Sequence, residues 1–169
     1  QMWTAQRYPL RQPRSFLTSG GLGAMGFGLG AAIGANIATG RRAVLFTGDG
    51  SFGMNLNELA TAVSEQTDVT VIIMNNGALG MVRQWQTLFF DRRYFGTTLN
   101  RKTDFVKVAE GFGASGARAS TPVQLSDALH RAFSQSGPFV IDAHMCSDEL
   151  VLPMLPPGSS IDHIITEIE

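Results

Sequence analysis

The fold is decided by residues 46–81, which read FTGDGSFGMNLNELATAVSEQTDVTVIIMNNGALGM. Two short uncharged runs, at 43–46 and 69–74, are rich in Val, Ile and Phe, which is typical of strands buried on both faces of a parallel sheet. Between them, residues 55–65 carry apolar side chains at a helical spacing, and Asn55 with Glu58 has the spacing of a capping box. The segment is therefore predicted to form a strand, a helix and a second, parallel strand.

Polar residues follow both predicted strands where each strand ends. Residues 48–51 (Gly-Asp-Gly-Ser) follow the first strand, and residues 75–76 (Asn-Asn) follow the second. Because the crossover brings the carboxyl ends of parallel strands to one edge of the sheet, we expect Asp49 and Asn76 to lie side by side there. A magnesium-type cation takes about six oxygen ligands, usually including phosphates and water. With a backbone carbonyl just after Asn76, the pattern predicts a cage for Mg²⁺ and a diphosphate.

Further motifs occur along nearly the whole chain. They are residues 1–3 (QMW), 17–26 (LTSGGLGAMG), 48–52 (GDGSF), 57–62 (NELATA), 74–76 (MNN), 79–86 (LGMVRQWQ), 151–154 (VLPM) and 157–158 (PG). The Gly-Asp-Gly triplet and the paired asparagines resemble the cofactor motif of thiamine diphosphate enzymes. In this order, the motifs resemble the large catalytic subunit of acetolactate (acetohydroxyacid) synthase.

The resemblance implies a three-layer α/β/α domain with a mainly parallel sheet of about six strands, which agrees with the strand pattern above. Residues 1–169 would be the C-terminal thiamine diphosphate-binding domain of a longer enzyme, with 1–13 as a linker arm and 150–169 as a tail. The implied cofactors are thiamine diphosphate and Mg²⁺, with FAD only in the full-length enzyme. The catalytic glutamate would lie on a missing domain, so we expect no catalytic residue in this chain and no activity from it alone.

The resemblance also assigns the cofactor contacts. The backbone near Gly23 and Met25 would bind the aminopyrimidine, and the Met25 side chain would hold the cofactor in a bent shape. The metal ligands would be Asp49, Asn76 and the carbonyl of Ala78. The full cofactor-binding set implied is Gly23, Met25, Gly48, Asp49, Gly50, Ser51, Asn76, Ala78, Leu79, Gly80 and Met81.

Met81, Val82 and Trp85 are three to four residues apart and would share one face of a helix. Such an apolar stripe is most often core, but the resemblance places Met81 and Trp85 at the substrate. An indole beside the acceptor offers a flat apolar surface for an ethyl group, which favours 2-ketobutyrate over pyruvate. The preference would be modest, since one methylene is worth about 1 kcal/mol.

The implied reaction condenses pyruvate, after its decarboxylation, with pyruvate or 2-ketobutyrate in branched-chain amino acid biosynthesis. The implied partners are 2-oxo acids, the missing N-terminal and middle domains, further subunits in a homodimer or tetramer, and a regulatory small subunit. Two alternatives stay open. One is another thiamine diphosphate-dependent carboligase, decarboxylase or oxidase, and the other is a non-catalytic thiamine diphosphate-binding module.

Composition argues against several other classes of protein. The 169 residues carry a net charge of -1, which gives no electrostatic reason to expect nucleic acid or an anionic membrane as partner. Residues 20–39 are uncharged but contain seven glycines, so a buried helix is expected there rather than a membrane span. A single cysteine, Cys146, excludes an internal disulfide and suits a reducing, cytoplasmic location.

The remaining segments have weaker signals. Gly21, Gly23 and Gly26 form a GxGxxG pattern, which we interpret as a decoy because no strong strand precedes it. The histidines lack zinc-ligand spacing. The other predictions are an extended arm at 1–13, an edge strand at 16–18, a mobile loop at 89–102, a helix at 105–110 capped by Asp104, a helix from Thr121 to about Ser134, a strand at 139–143 and a helix at 161–168.

Overall fold

A computed structural model of the chain describes residues 1–100 and 102–167. In this part of the chain one sheet is formed by four strands, namely β1 (Ala43–Gly48), β2 (Val69–Asn75), β3 (Ser115–Ala119) and β4 (Phe139–His144). Their order across the sheet is β1-β2-β4-β3, and all neighbours are parallel. The prediction of a parallel sheet is confirmed, whereas the expected number of about six strands is too high for the described residues.

The helices connect these strands and cover the sheet. They are α1 (Met2–Arg7), α2 (Phe27–Thr39), α3 (Asp49–Phe52), α4 (Leu59–Ser64), α5 (Gly80–Phe89), α6 (Phe105–Phe112) and α7 (Pro122–Phe133), with 3-10 turns at Leu56–Glu58 and Ile161–His163. Of the helices described, none combines the length and the apolar character that crossing a membrane would require.

The sheet is buried on both faces. Val71 and Ile73 of β2 pack in one core cluster with residues of α2, α4 and α6. The intervening residue, Ile72, belongs to a second cluster with residues of α7. Since successive side chains of a strand point to opposite faces, this alternation places helices on both sides of the sheet and confirms the three-layer α/β/α architecture.

Two predicted helix starts are confirmed by their caps. The Asp104 side chain accepts a hydrogen bond from the Lys107 backbone N–H at the start of α6. At the start of α7, the Thr121 hydroxyl accepts from the backbone N–H of Gln124 (3.2 Å), and the Gln124 side chain accepts from the N–H of Ser120 (2.8 Å). These bonds satisfy backbone donors that a helix cannot satisfy itself.

The predicted capping box between Asn55 and Glu58 does not form. The Asn55 amide instead donates to the carbonyl of Gly26 (3.3 Å), while Glu58 accepts from the Thr61 hydroxyl (2.8 Å). The segment therefore starts as a 3-10 turn and becomes α-helical only at Leu59. The Asn55 side chain, which the local spacing assigned to the cap, is bound instead to Gly26, 29 residues earlier in the sequence.

Several segment predictions need correction. The arm at 1–13 contains the helix α1, residues 16–18 are not a strand, and β3 was not predicted. The helix predicted within 20–39 begins only at Phe27, because Gly23 and Gly26 adopt positive φ values of 61° and 83°. The tail helix is limited to a 3-10 turn at Ile161–His163, and the end of the predicted range, residue 168, lies outside the described residues.

Candidate functional site

The carboxyl ends of β1 and β2 lie side by side. Gly48, the last residue of β1, is in register with Met74 of β2. Asp49 follows Gly48 as the first residue of α3, and its residue surface is only 3% exposed. Asn76 follows the last residue of β2. The chain thus brings the predicted carboxylate and the predicted amide to the same edge of the sheet.

The turn after β2 has a fixed shape. The Asn76 Oδ1 atom accepts a hydrogen bond from the Ala78 N–H (3.1 Å), and Gly77 between them has a φ of 65°, which favours glycine. Ala78 pairs with Thr98 as an antiparallel bridge, and the bonds of this pairing are made by the residues on either side. In such a pair the carbonyl of the bridging residue points away from the partner strand. The carbonyl of Ala78 therefore points away from Thr98.

Gly50 is the point at which three segments approach closely. A Cβ atom added there would lie 2.7 Å from Cδ2 of Leu79, 3.3 Å from Cε of Met25 and 3.3 Å from Cδ1 of Leu99. Met25, Gly50 and Leu79 are members of the predicted cofactor set, and the structure brings them together. Leu99 was missed because nothing in its local sequence indicates that it returns to Gly50.

The glycine-rich loop before α2 is tied to the turn after β1. The N–H of Gly26 donates to the Ser51 hydroxyl (3.0 Å), and the N–H of Ala24 donates to the Ser19 hydroxyl (3.0 Å). Gly23 lies within the second of these bonded segments, and its N–H donates to the carbonyl of Ser19 (2.8 Å). The backbone near Gly23 and Met25 is thereby held beside residues 49–51.

The first turn of α5 is packed against the Asn76 side chain. A Cβ atom on Gly80 would lie 2.9 Å from Nδ2 of Asn76, so only a glycine fits without displacing the amide. Met81 and Trp85 are on the same helix, four residues apart. The residue surface of Trp85 is 37% exposed, and its indole meets the Phe89 ring edge to face, with 5.8 Å between ring centroids.

A buried carboxylate near this edge was not predicted. Asp142 lies in β4, is 1% exposed, and accepts from the Asn75 amide (2.8 Å). His144 Nε2 lies 3.1 Å from the same carboxyl group. The signal was present in the sequence, because one acidic residue lies among the apolar residues 139–143 of the strand (FVIDA). Asp142 thus fixes the side chain that precedes the predicted metal ligand Asn76.

A cavity of about 220 Å³ lies on another side of α5. It shares only Gly80 with the predicted cofactor residues. Across its wall, Arg83 pairs with Asp148 (2.7 Å) and lies over the Tyr94 ring, 3.9 Å from its centroid. Apart from Gly80, the predicted cofactor residues therefore do not line this cavity.

The donor set fits Mg²⁺ with a diphosphate. One carboxylate, one amide oxygen and one backbone carbonyl are hard oxygen ligands, which leave positions for phosphate and water. A Cβ atom added to Gly48 would meet nothing within 4 Å, so there is open space beside the backbone at that position. With one carboxylate in the set, a divalent cation would keep a net positive charge facing the diphosphate. Within residues 1–100 and 102–167, no group of three or more His, Cys, Asp or Glu side chains could hold a metal.

Comparison with known proteins places the chain in a family. Residues 1–143 match the model of the thiamine pyrophosphate enzyme, C-terminal TPP binding domain. Over 99% of its length the chain is 46% identical to the acetolactate synthase isozyme 1 large subunit of Escherichia coli, of which it covers 30%. Over 98% of its length the chain is 43% identical to the mitochondrial acetolactate synthase catalytic subunit of Saccharomyces cerevisiae, of which it covers 24%.

A solved structure is also similar to the chain. It is the Rhodococcus jostii RHA1 thiamine diphosphate-dependent 4-hydroxybenzoylformate decarboxylase, with a TM-score of 0.69 and 31% sequence identity over 73% of this chain and 24% of the other. The chain therefore spans less than a third of each of these three proteins. Since the family model matches most of its residues, the chain belongs to the C-terminal TPP-binding domains of thiamine pyrophosphate enzymes.

Proposed function

We propose that the chain is the diphosphate- and Mg²⁺-binding domain of an acetolactate synthase large subunit. The observation that carries this proposal is the edge where β1 and β2 end, with the buried Asp49 at the end of one strand and the Asn76–Ala78 turn after the other. The high identity to acetolactate synthase subunits over nearly the whole chain supports the choice within the family.

The proposed metal ligands are Asp49 through its carboxylate, Asn76 through Oδ1 and Ala78 through its carbonyl. The backbone from Gly48 to Ser51 would contact the diphosphate. Thiamine diphosphate, when bound, supplies the stabilised carbanion chemistry that breaks and forms carbon–carbon bonds next to a carbonyl. This chain's part is to bind the diphosphate end and to orient the rest of the cofactor.

The close contact at Gly50 supports an orienting role for Met25 and Leu79. Both side chains come together over a glycine, so they form an apolar support beside the diphosphate end. Met25 is 42% exposed, which leaves its surface free to contact a cofactor and hold it bent. Gly23, with Met25, would offer backbone groups to the aminopyrimidine.

Met81 and Trp85 are the proposed substrate contacts. Trp85, whose residue surface is 37% exposed, can bury the ethyl group of 2-ketobutyrate, which pyruvate lacks. One additional buried methylene is worth about 0.8 kcal/mol, so we expect roughly a fourfold preference for 2-ketobutyrate as acceptor.

The catalytic glutamate and the FAD site are proposed to lie in other domains of a longer enzyme. A homodimer or tetramer with a regulatory small subunit is proposed as the assembly. The single cysteine supports a cytoplasmic location, whereas the names of similar proteins include mitochondrial and chloroplastic forms.

A second candidate is a thiamine diphosphate-dependent decarboxylase of a 2-oxo acid. The observation in its favour is the similarity of the fold to the Rhodococcus decarboxylase. The two functions use the same diphosphate edge and differ in the acceptor, which is a second 2-oxo acid in the synthase and a proton in the decarboxylase. Product analysis separates them.

The test uses the full-length enzyme with pyruvate and 2-ketobutyrate, thiamine diphosphate, Mg²⁺ and FAD. We expect ketol acids as products, and we expect Asp49→Ala to lower the rate at least about 100-fold, a change of roughly 2.7 kcal/mol, and to abolish Mg²⁺-dependent cofactor binding. Asp127→Ala, which removes an exposed carboxylate from α7, is the matched control and should behave as wild type. Aldehyde without ketol acid would support the decarboxylase, and unchanged cofactor affinity in Asp49→Ala would overturn the proposed metal site.

A further inference from the structure

Gln84, next to Trp85, is bound to the C-terminal segment at 148–154. Its residue surface is 2% exposed. The side-chain Nε2 donates to the Val151 carbonyl (3.0 Å), while Oε1 accepts from the Val151 N–H (2.7 Å). Nε2 also lies 3.3 Å from the sulfur of Met154. The amide therefore satisfies both backbone groups of one residue, as a neighbouring strand would.

Gln86, on the other side of Trp85 in sequence, is bound to a different segment. Its Oε1 accepts from the Thr97 hydroxyl (3.1 Å) and the Phe95 N–H (3.3 Å). Its Nε2 donates to the Phe95 carbonyl (3.0 Å). The Gln86 side chain thus makes three hydrogen bonds to the loop that follows α5.

The two attachments lie on nearly opposite sides of α5. Successive residues of an α-helix are about 100° apart around the axis, so Gln84 and Gln86 point about 200° apart, with Trp85 between them. Rotation of α5 that moved the indole would have to break the bonds of both glutamines. The Arg83–Asp148 ion pair (2.7 Å) adds a third attachment, to the same segment as Gln84.

An apolar residue of similar volume would fill the position of Gln84 without needing a partner. The buried amide costs free energy unless its hydrogen bonds form, and both groups of Val151 would lose their partner without it. We propose that Gln84 is a positioning residue that sets the orientation of Trp85 by joining α5 to residues 148–154, with Gln86 as the opposing attachment. This inference rests on the proposed function, since Trp85 is taken to select the acceptor.

The test compares Gln84→Met with wild type in the full-length enzyme. In an equimolar mixture of pyruvate and 2-ketobutyrate, the ratio of the two ketol acids should shift at least about threefold towards the pyruvate-derived product, which corresponds to roughly 0.65 kcal/mol. In the enzyme without cofactor, hydrogen exchange of the Val151 amide should become at least about tenfold faster, because its acceptor is gone. Gln86→Met should shift the ratio in the same direction and leave the Val151 exchange rate unchanged.

Gln6→Met is the matched control. Gln6 also donates to the C-terminal segment, at the Pro153 carbonyl (3.5 Å), but it is exposed and is not on α5. It should leave the product ratio unchanged. Gln84→Asn, which keeps an uncharged amide but is one methylene too short to reach both groups of Val151, should shift the ratio in the same direction by a smaller amount, even where Gln84→Met fails to fold.

Two results would overturn the inference. One is a wild-type product ratio in every Gln84 variant that folds, and the other is the same shift in Gln6→Met. Failure of the proposed function would look different, because the wild-type enzyme would then form no ketol acid at all. The Val151 exchange measurement needs no activity and tests the hydrogen bonds by themselves.

Discussion

Met25, Leu79 and Leu99 meet beside Gly50. A methyl group there would approach all three side chains, the closest at 2.7 Å. We predict that Gly50→Ala lowers the free energy of unfolding by about 1–3 kcal/mol, which is typical of overpacking. The same displacement should weaken thiamine diphosphate binding, because Met25 and Leu79 are proposed cofactor contacts. Urea unfolding and calorimetric titration measure the two effects.

Gly34→Ala is the control for the Gly50→Ala prediction. Gly34 lies in α2, and an added Cβ atom would meet nothing within 4 Å. Alanine at a helix interior is favoured over glycine by about 0.5–1 kcal/mol, so this variant should be slightly more stable and should bind cofactor as wild type does. A Gly50→Ala protein with unchanged stability and affinity would show that the three side chains move aside without cost.

At the residue scale, the placement of the proposed metal ligands at one edge of the sheet could be predicted because it follows from strand topology. Asp49 and Asn76 each come directly after a recognisable strand, and parallel strands end at the same edge. The bond between Ser51 and Gly26 could not be predicted, since it joins residues 25 apart with no pattern between them. Asp142 was predictable in principle, because an isolated carboxylate in a buried strand needs a partner.

The cap of α6 gives this element a dependence on pH. The pKa of Asp104 is lowered from its ordinary value of 3.8, chiefly because the Lys107 backbone N–H donates to the carboxylate, and Arg118 adds to the effect. A carboxylate with a lowered pKa in the folded state stabilises the fold above its unfolded pKa, and this contribution is lost as the pH falls through the folded value. We predict that the contribution of the Asp104 cap to stability stays constant from neutral pH down to about pH 5 and is lost progressively below about pH 4.

Asp104→Asn tests this prediction, because asparagine still offers an oxygen to the Lys107 N–H but carries no charge. Urea unfolding of both proteins across the acid range gives the difference in unfolding free energy at each pH. The difference should be constant near neutrality and should shrink below about pH 4. A difference that does not change with pH would mean that the charge of Asp104 plays no part in the cap.

At the element scale, prediction succeeded where the signal was local. The caps at Asp104 and Thr121 need only residues within one helical turn, and both are present. β3 was missed because its sequence, SGARA, has no β-branched or aromatic residue, and its place is set by pairing with β4. The start of α2 was predicted too early because the positive φ angles of Gly23 and Gly26 cannot be inferred from apolar content.

At the scale of the whole molecule, the layers could be predicted but the extent of the sheet could not. Successive apolar side chains of β2 and β4 join opposite core clusters, which follows from the apolar runs of these strands and from the helices on both faces of the sheet. The expected sheet of about six strands came from the family resemblance, whereas the described residues contain four. Strand number depends on pairing between distant segments such as β3 and β4, which no local pattern specifies.

Apolar side chains beside the proposed cofactor edge are exposed on this chain. Leu22 is 95% exposed, Met54 57% and Met25 42%, so apolar surface next to the Gly26–Ser51 contact faces solvent. Surface of this kind is expected to be covered by a partner, and here the proposed cover is the domain that carries the catalytic glutamate. The pyrimidine end of the cofactor would then lie between Gly23 and Met25 of this chain and the covering domain.

We therefore predict that the isolated chain binds thiamine diphosphate with Mg²⁺ at least about tenfold more weakly than the full-length enzyme, a loss of roughly 1.4 kcal/mol or more. Titration calorimetry of both proteins measures this directly. In each, Asp49→Ala should remove the Mg²⁺-dependent part of the binding, because the diphosphate end is held by the same ligands in both. Equal affinities of the two wild-type proteins would contradict the prediction, since Asp49, Asn76, Ala78 and the Gly50 contact would then supply the whole site. Weaker binding that still depends on Asp49 would assign the diphosphate to this chain and the remaining affinity to the covering domain.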